Sequence, residues 1–128
     1  MTQAGLRYIS EFMDGLSIPY DFMEWKDKPP DDRYHVGEPM EVTMTTLEED
    51  GRQDTNFILR GFSRLPKTAW LTLQQDAETI KKNLPRTAIL PDGTGIAVFY
   101  AGSAPVYTGD AALKGIKINL DIKEWSVN

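Results

Sequence analysis

At 128 residues, with 41% hydrophobic and 26% charged side chains, the chain has the size and composition of one globular domain with its own core. The absence of cysteine excludes disulfides, thiol nucleophiles and cysteine-type zinc sites, and suits a reducing cytoplasm. A net charge of −5 argues against binding nucleic acid through phosphate contacts, and neither a signal peptide nor a membrane span is expected.

Leu6, Ile9, Met13 and Leu16 recur at helical spacing, so residues 3–15 are expected to form an amphipathic helix stopped by Gly15 and Pro19. The aromatic run "IPYDFMEW" reads as a short strand, and "KDKPPDDRYHVGEP", residues 26–39, as an irregular connection long enough to serve as a contact loop. Met40, Val42 and Met44 then alternate with Glu41, Thr43 and Thr45, and Phe57 and Leu59 with Ile58 and Arg60. Period-2 alternation on both sides of Asp50-Gly51 predicts a long hairpin over about residues 40–62, because Asp and Gly accept the backbone of tight turns.

The hairpin tip invites a calcium reading, since Glu48, Glu49, Asp50 and Asp54 surround Gly51. Aligning Gly51 with the sixth position of a calcium loop puts Phe57 where the bidentate carboxylate must stand. The tip is therefore expected to be a solvated turn, and neither a metal nor a cofactor is expected.

Trp70, Leu73, Ala77, Ile80 and Leu84 step by three or four and predict a second helix, with Trp70 in the core and Pro85 as its stop. "RTAILPDGTGIAVFYA" reads as strand, turn and strand, and "GSAPVYTGDAALKG" as a looser connection. In "IKINLDIKEW" Ile116, Ile118, Leu120 and Ile122 alternate with polar residues, so one face of this last strand must be buried. Helices and strands do not alternate strictly, which disfavours parallel βαβ units. The expected fold is a single α+β domain over residues 1–128: a mostly antiparallel β-sheet with two helices packed on one face and a long projecting β-hairpin.

No constellation for catalysis emerges. His35 is the only histidine, and no strained serine turn accompanies it, so a structural or exposed role is expected. Gly93-Thr94-Gly95 precedes a strand, whereas a dinucleotide fingerprint follows one. "GDAALKGIK" lacks the hydroxyl that holds magnesium in a phosphate loop. An enzyme is therefore not expected. Candidate interface residues are Glu48, Glu49 and Asp50 at the tip, Tyr34 and His35 in the connection, and Trp25 and Trp125 at strand ends, where large rings serve a core or an interface.

From "LRYISEFMDGLSIPYDFMEW" through the hairpin and "WLTLQQDAETIKKNL" to "IKINLDIKEW", the chain resembles the small tail terminator and tail completion proteins of long-tailed bacteriophages and prophages. The resemblance spans nearly the whole chain and lies in element order and size, so no functional residue is carried over. It implies a virion structural protein that forms a hexameric ring, stops tail-tube polymerisation and docks the head connector, first in the host bacterial cytoplasm and then in the tail. Its partners would be copies of itself, the tail-tube protein and the head-completion protein, with DNA only passing through the lumen. Six copies would carry 6 × (−5) = −30 formal charges, which repel rather than trap that DNA. A small non-enzymatic module that grips a host protein through the hairpin and the proline-rich loop is the alternative.

Overall fold

A computed structural model of the chain describes residues 1–30, 32–41 and 51–126. The elements run α1 (Gln3–Gly15), β1 (Tyr20–Phe22), β2 (Tyr34–Glu41), β3 (Arg52–Ser63), α2 (Ala69–Lys82), β4 (Arg86–Ile89), β5 (Thr94–Val106) and β6 (Lys114–Ser126). The strands form one sheet in the order β1-β2-β3-β6-β5-β4, antiparallel throughout except for the short parallel β1–β2 pair. The fold is thus α+β with a mostly antiparallel sheet, as the element order implies.

Alternation along the two central strands decides which face the helices cover. Phe57 and Leu59 of β3 and Ile116, Ile118, Leu120 and Ile122 of β6 point one way and are buried. Ile9, Phe12 and Met13 of α1 and Leu73, Ala77 and Ile80 of α2 join them in one continuous cluster. Burying such side chains stabilises by about 1.5–3 kcal/mol each, which is the main force holding helices to sheet. The other face carries Arg60, Lys117, Lys123, Asp54 and Asp121, as a solvated sheet face should.

The strand ends depart from expectation in instructive ways. "IPYDFMEW" yields only Tyr20–Phe22 as strand, because Met23 adopts a left-handed φ of 68° and turns the chain sharply. The 26–39 connection gives its second half to β2, since Tyr34 to Pro39 pair with Phe62 to Phe57 of β3. "GSAPVYTGDAALKG" is not a loose connection: β5 runs to Val106 past a bulge between Tyr100 and Gly102, and only residues 107–113 join it to β6. Here cross-strand pairing with β6 overrides a glycine- and proline-containing sequence of weak strand propensity. The first helix ends as expected at Gly15, but Ser17, at φ 59°, makes the left-handed turn, and Ile18 N–H closes it by donating to the Met13 carbonyl at 3.1 Å.

The arms of the hairpin are in register from Tyr34↔Phe62 to Glu41↔Thr55. Its tip, with Glu48, Glu49 and Asp50, lies outside the described residues.

Candidate interaction surface

Trp25 and Tyr34 come together on the sheet face away from the helices. After Phe22 the chain reverses: Met23 N–H donates to the Gly37 carbonyl and Glu24 N–H to the Phe22 carbonyl, each at 2.8 Å. Lys26 N–H donates to the Asp21 carboxylate, and its ammonium to the Phe22 carbonyl. This turn folds Trp25 back onto Tyr34, with ring centroids 5.3 Å apart, and Tyr34 in turn leans on Phe62 at 5.4 Å. Tilted rings at these distances add roughly 0.5–1.5 kcal/mol per pair beyond area burial. The start and the end of the 23–33 loop are thereby pinned to one place at the edge of the sheet.

His35 points to the opposite face and is fully buried. Its Nε2 lies 3.1 Å from Asp76 Oδ2 of α2, and the same oxygen accepts from Arg33 Nε at 3.0 Å. Burial alone would pull the Arg33 guanidinium down, but its bonds and charge contacts with Asp76 and Asp32 raise it above its ordinary value. Histidine and aspartate side by side evoke acid–base chemistry, but a general base must reach a substrate proton. A ring with no exposed surface cannot do so. The cluster instead ties β2 to α2, which agrees with the structural role open to His35 from sequence. Burial likewise raises the nearby Tyr20 hydroxyl, with the charge of Asp21 adding to the effect.

Trp125 occupies a different region. It lies across from Gly95 on β5, and a Cβ there would come within van der Waals overlap of the indole. The ring thus covers bare backbone on the solvated face, an arrangement that protects glycine in a sheet. It is not near Trp25 and Tyr34, because the 52–125 end of the β3–β6 ladder is opposite the 63–114 end.

The most exposed aromatic surface is one the sequence pattern concealed. Trp70 is 39% exposed, not core as its place on the helical stripe predicted: in the first turn of α2 it is Ala69 that is buried and leads the stripe on to Leu73, Ala77 and Ile80. It faces the β5–β6 connection across a groove of about 540 Å3, lined among others by Val106, Tyr107, Asp110, Leu113 and Lys114. Tyr107 is 95% exposed and Leu71, beside Trp70, is 56% exposed. The loop that forms one wall is well built: the Thr108 hydroxyl donates to the Leu113 carbonyl at 2.8 Å, and Asp110 accepts from Ala112 N–H at 2.9 Å and from Arg64 at 3.0 Å. Those two bonds hold the Asp110 carboxyl below its usual range, the Ala112 N–H contributing most. The only sequence signal for this groove is a large aromatic immediately before a Thr-Gly-Asp turn in "VYTGD".

No protein-family model matches the chain, and no curated protein is detectably similar to it in sequence. Among solved structures, one whose name states no function matches with a TM-score of 0.72 at 14% sequence identity, over 100% of this chain and 99% of its own. The α+β architecture is thus shared end to end with another protein, and at that identity the likeness speaks for the fold alone.

Proposed function

We propose that this chain is a bacteriophage or prophage structural protein of the tail terminator type, forming a ring that caps the tail tube and docks the head connector. The observation that carries this reading is that the sheet is left incomplete on both lateral edges. β1 covers β2 only from His35 to Gly37, and β4 covers β5 only from Gly95 to Val98. Bare edge is therefore left, among the described residues, on each side of the same sheet. Exposed strand edges need a partner or a protective device. Two different edges on opposite sides of one subunit suit head-to-tail contacts, which make a ring where the rotation between copies closes.

Electron microscopy of purified tail tubes tests the function. Adding this protein to tubes of the tail-tube protein from the same phage should give rings bound at tube ends and arrest tube growth. Binding along tube sides, or none, overturns the terminator reading in favour of a module that grips a host protein.

A further inference from the structure

Both lateral edges of the sheet are stepped, and one step fits the other. On one side β1 stands a strand out from residues 35–37 of β2. On the other, β4 covers β5 only as far as Val98, and residues 99–106 are bare among the described residues. Tyr20, His35, Gly61, Ile116 and Pro105 share one row across the sheet, and Phe22, Gly37, Leu59, Ile118 and Ser103 share another. The stretch that β1 adds on one side is therefore missing at the same level on the other. β4 ends on the row of Val98 and Glu41, clear of β1.

Hydrogen-bonding parity agrees. His35 N–H donates to the Pro19 carbonyl and Met23 N–H to the Gly37 carbonyl, so the backbone of Tyr20 and Phe22 faces outward. Ser126 N–H donates to the Gly51 carbonyl, which turns the even residues of β6 towards β3 and the odd ones towards β5. Gly102, Ala104 and Val106, opposite Asn119, Lys117 and Gly115, therefore face β6, and Ser103 and Pro105 face outward. In both rows an outward residue on one side matches an outward residue on the other. β1 is parallel to β2, and three antiparallel steps lead from β2 to β5, so β1 runs antiparallel to β5.

We infer that β1 of one copy adds as an antiparallel strand to residues 103–106 of β5 in the next copy. This deepens the ring reading above and rests on its self-association. Strand addition to a bare sheet edge draws its affinity from main-chain hydrogen bonds. Tyr20 N–H then donates to the Pro105 carbonyl and Phe22 N–H to the Ser103 carbonyl. Ser103 N–H reaches the Phe22 carbonyl, which it shares with Glu24 N–H. The Tyr20 carbonyl, opposite a residue with no N–H, is left to water. Pro105 and the bulge between Tyr100 and Gly102 guard this edge against a long strand, which suits a partner of three residues. Because the matched rows are at one level, successive copies need no shift along the strands, and rotation alone relates them.

The cysteine-free chain makes the test direct. Asp21 and Ala104 share the row between the two bonded ones. Across the new seam they form a non-hydrogen-bonded pair, whose Cα atoms come to about 4.5 Å and suit a disulfide. Full-length Asp21→Cys and Ala104→Cys, carrying tags of different size, are mixed and mildly oxidised, with Glu11→Cys on the exposed side of α1 as the control. A disulfide dimer of the Asp21→Cys and Ala104→Cys chains, absent when Glu11→Cys replaces either, is the expected result. Amide hydrogen exchange of the unaltered chain reads the backbone itself. The Tyr20 and Phe22 amides, without an acceptor among the described residues, should slow roughly tenfold or more on self-association. Cross-linking no greater than the control, or Tyr20 and Phe22 amides that exchange equally fast in the free and the assembled chain, overturns the inference. Rings that cap tubes without this cross-link would leave the terminator reading standing and remove the strand pairing; the cross-link without capping would do the reverse.

Discussion

The imidazole of His35 lies flat against Gly61, its partner across the β2–β3 ladder: a Cβ on that glycine would sit 2.4 Å from Cε1 and 2.7 Å from Nδ1. The ring cannot retreat, because Nε2 is held by Asp76. Gly61→Ala should therefore destabilise by about 1–3 kcal/mol, the usual cost of overpacking. Urea unfolding of Gly61→Ala alone and combined with His35→Ala checks the cause. The glycine substitution should cost less once the ring is gone, and equal costs in the two backgrounds would show that the ring is not the obstacle.

Asp76 is the shared acceptor of the cluster and is 6% exposed. Asp76→Ala strips partners from the Arg33 guanidinium and the His35 imidazole together. Breaking a wholly buried pair costs roughly 3–5 kcal/mol, but Arg33 still reaches water, so a loss of about 2–3 kcal/mol is expected. Denaturant midpoints at constant slope measure it, and a loss below about 0.5 kcal/mol, as for an ordinary surface site, would mean that the cluster contributes little.

A second buried carboxylate fastens the start of α1. Glu124 accepts from Thr2 Oγ1 at 2.5 Å, while the same hydroxyl accepts from Gly5 N–H at 3.0 Å as the helix N-cap. Thr2→Ala removes the cap and one bond to a buried charge, and a loss of about 1–2 kcal/mol is expected. Glu124→Ala should cost more, because the cap hydroxyl and the Thr2 N–H both lose their acceptor. Thermal unfolding of the two variants ranks them, and the reverse order would contradict this account.

Period and parity made much of this fold legible. The spacing of Leu6, Ile9 and Met13 predicted α1 with its observed ends, and the alternation of Ile116, Ile118, Leu120 and Ile122 predicted the buried face of β6. Glu124 continues that parity and falls on the buried side, so its burial was readable once position was allowed to outweigh side-chain type. Trp70 failed because two neighbours in the first turn of α2 fit the helical spacing, and the buried place went to Ala69. The candidate surface was legible only in part. Tyr34 and Trp25 meet through a turn at Met23 that no local pattern announces, and the Trp70–Tyr107 groove joins elements distant in sequence. The acidic tip, with Glu48, Glu49 and Asp50, lies outside the described residues.

Ile118 and Trp70 separate core from surface. Ile118 of β6 is fully buried in the cluster shared by the sheet and the helices, and Ile118→Asp should prevent folding by placing an unpaired charge there. Trp70→Ala should cost under about 2 kcal/mol, below the 3–5 kcal/mol of a core aromatic. Circular dichroism with thermal melting distinguishes the two, and a Trp70→Ala chain that fails to fold would place the indole in the core.

The groove loop should loosen in acid, with a sign set by Asp110. Its folded carboxyl is held below the ordinary range by Ala112 N–H and Arg64, so the ionised form is the one the fold favours. The stabilising contribution is therefore complete above the ordinary carboxylate range and is lost as pH falls through the lowered folded value. Asp92 makes the matching turn at Thr94, where its carboxylate accepts from the Thr94 N–H at 2.9 Å and is also lowered, chiefly by that bond, and among the described residues no arginine is bonded to it. In an NMR titration the Ala112 and Thr94 amides should follow their carboxylates below the usual range. Arg64→Gln should move the Ala112 transition upward and leave that of Thr94 in place. If both transitions moved together, the effect would be general to the protein's charge and not to the Arg64–Asp110 contact.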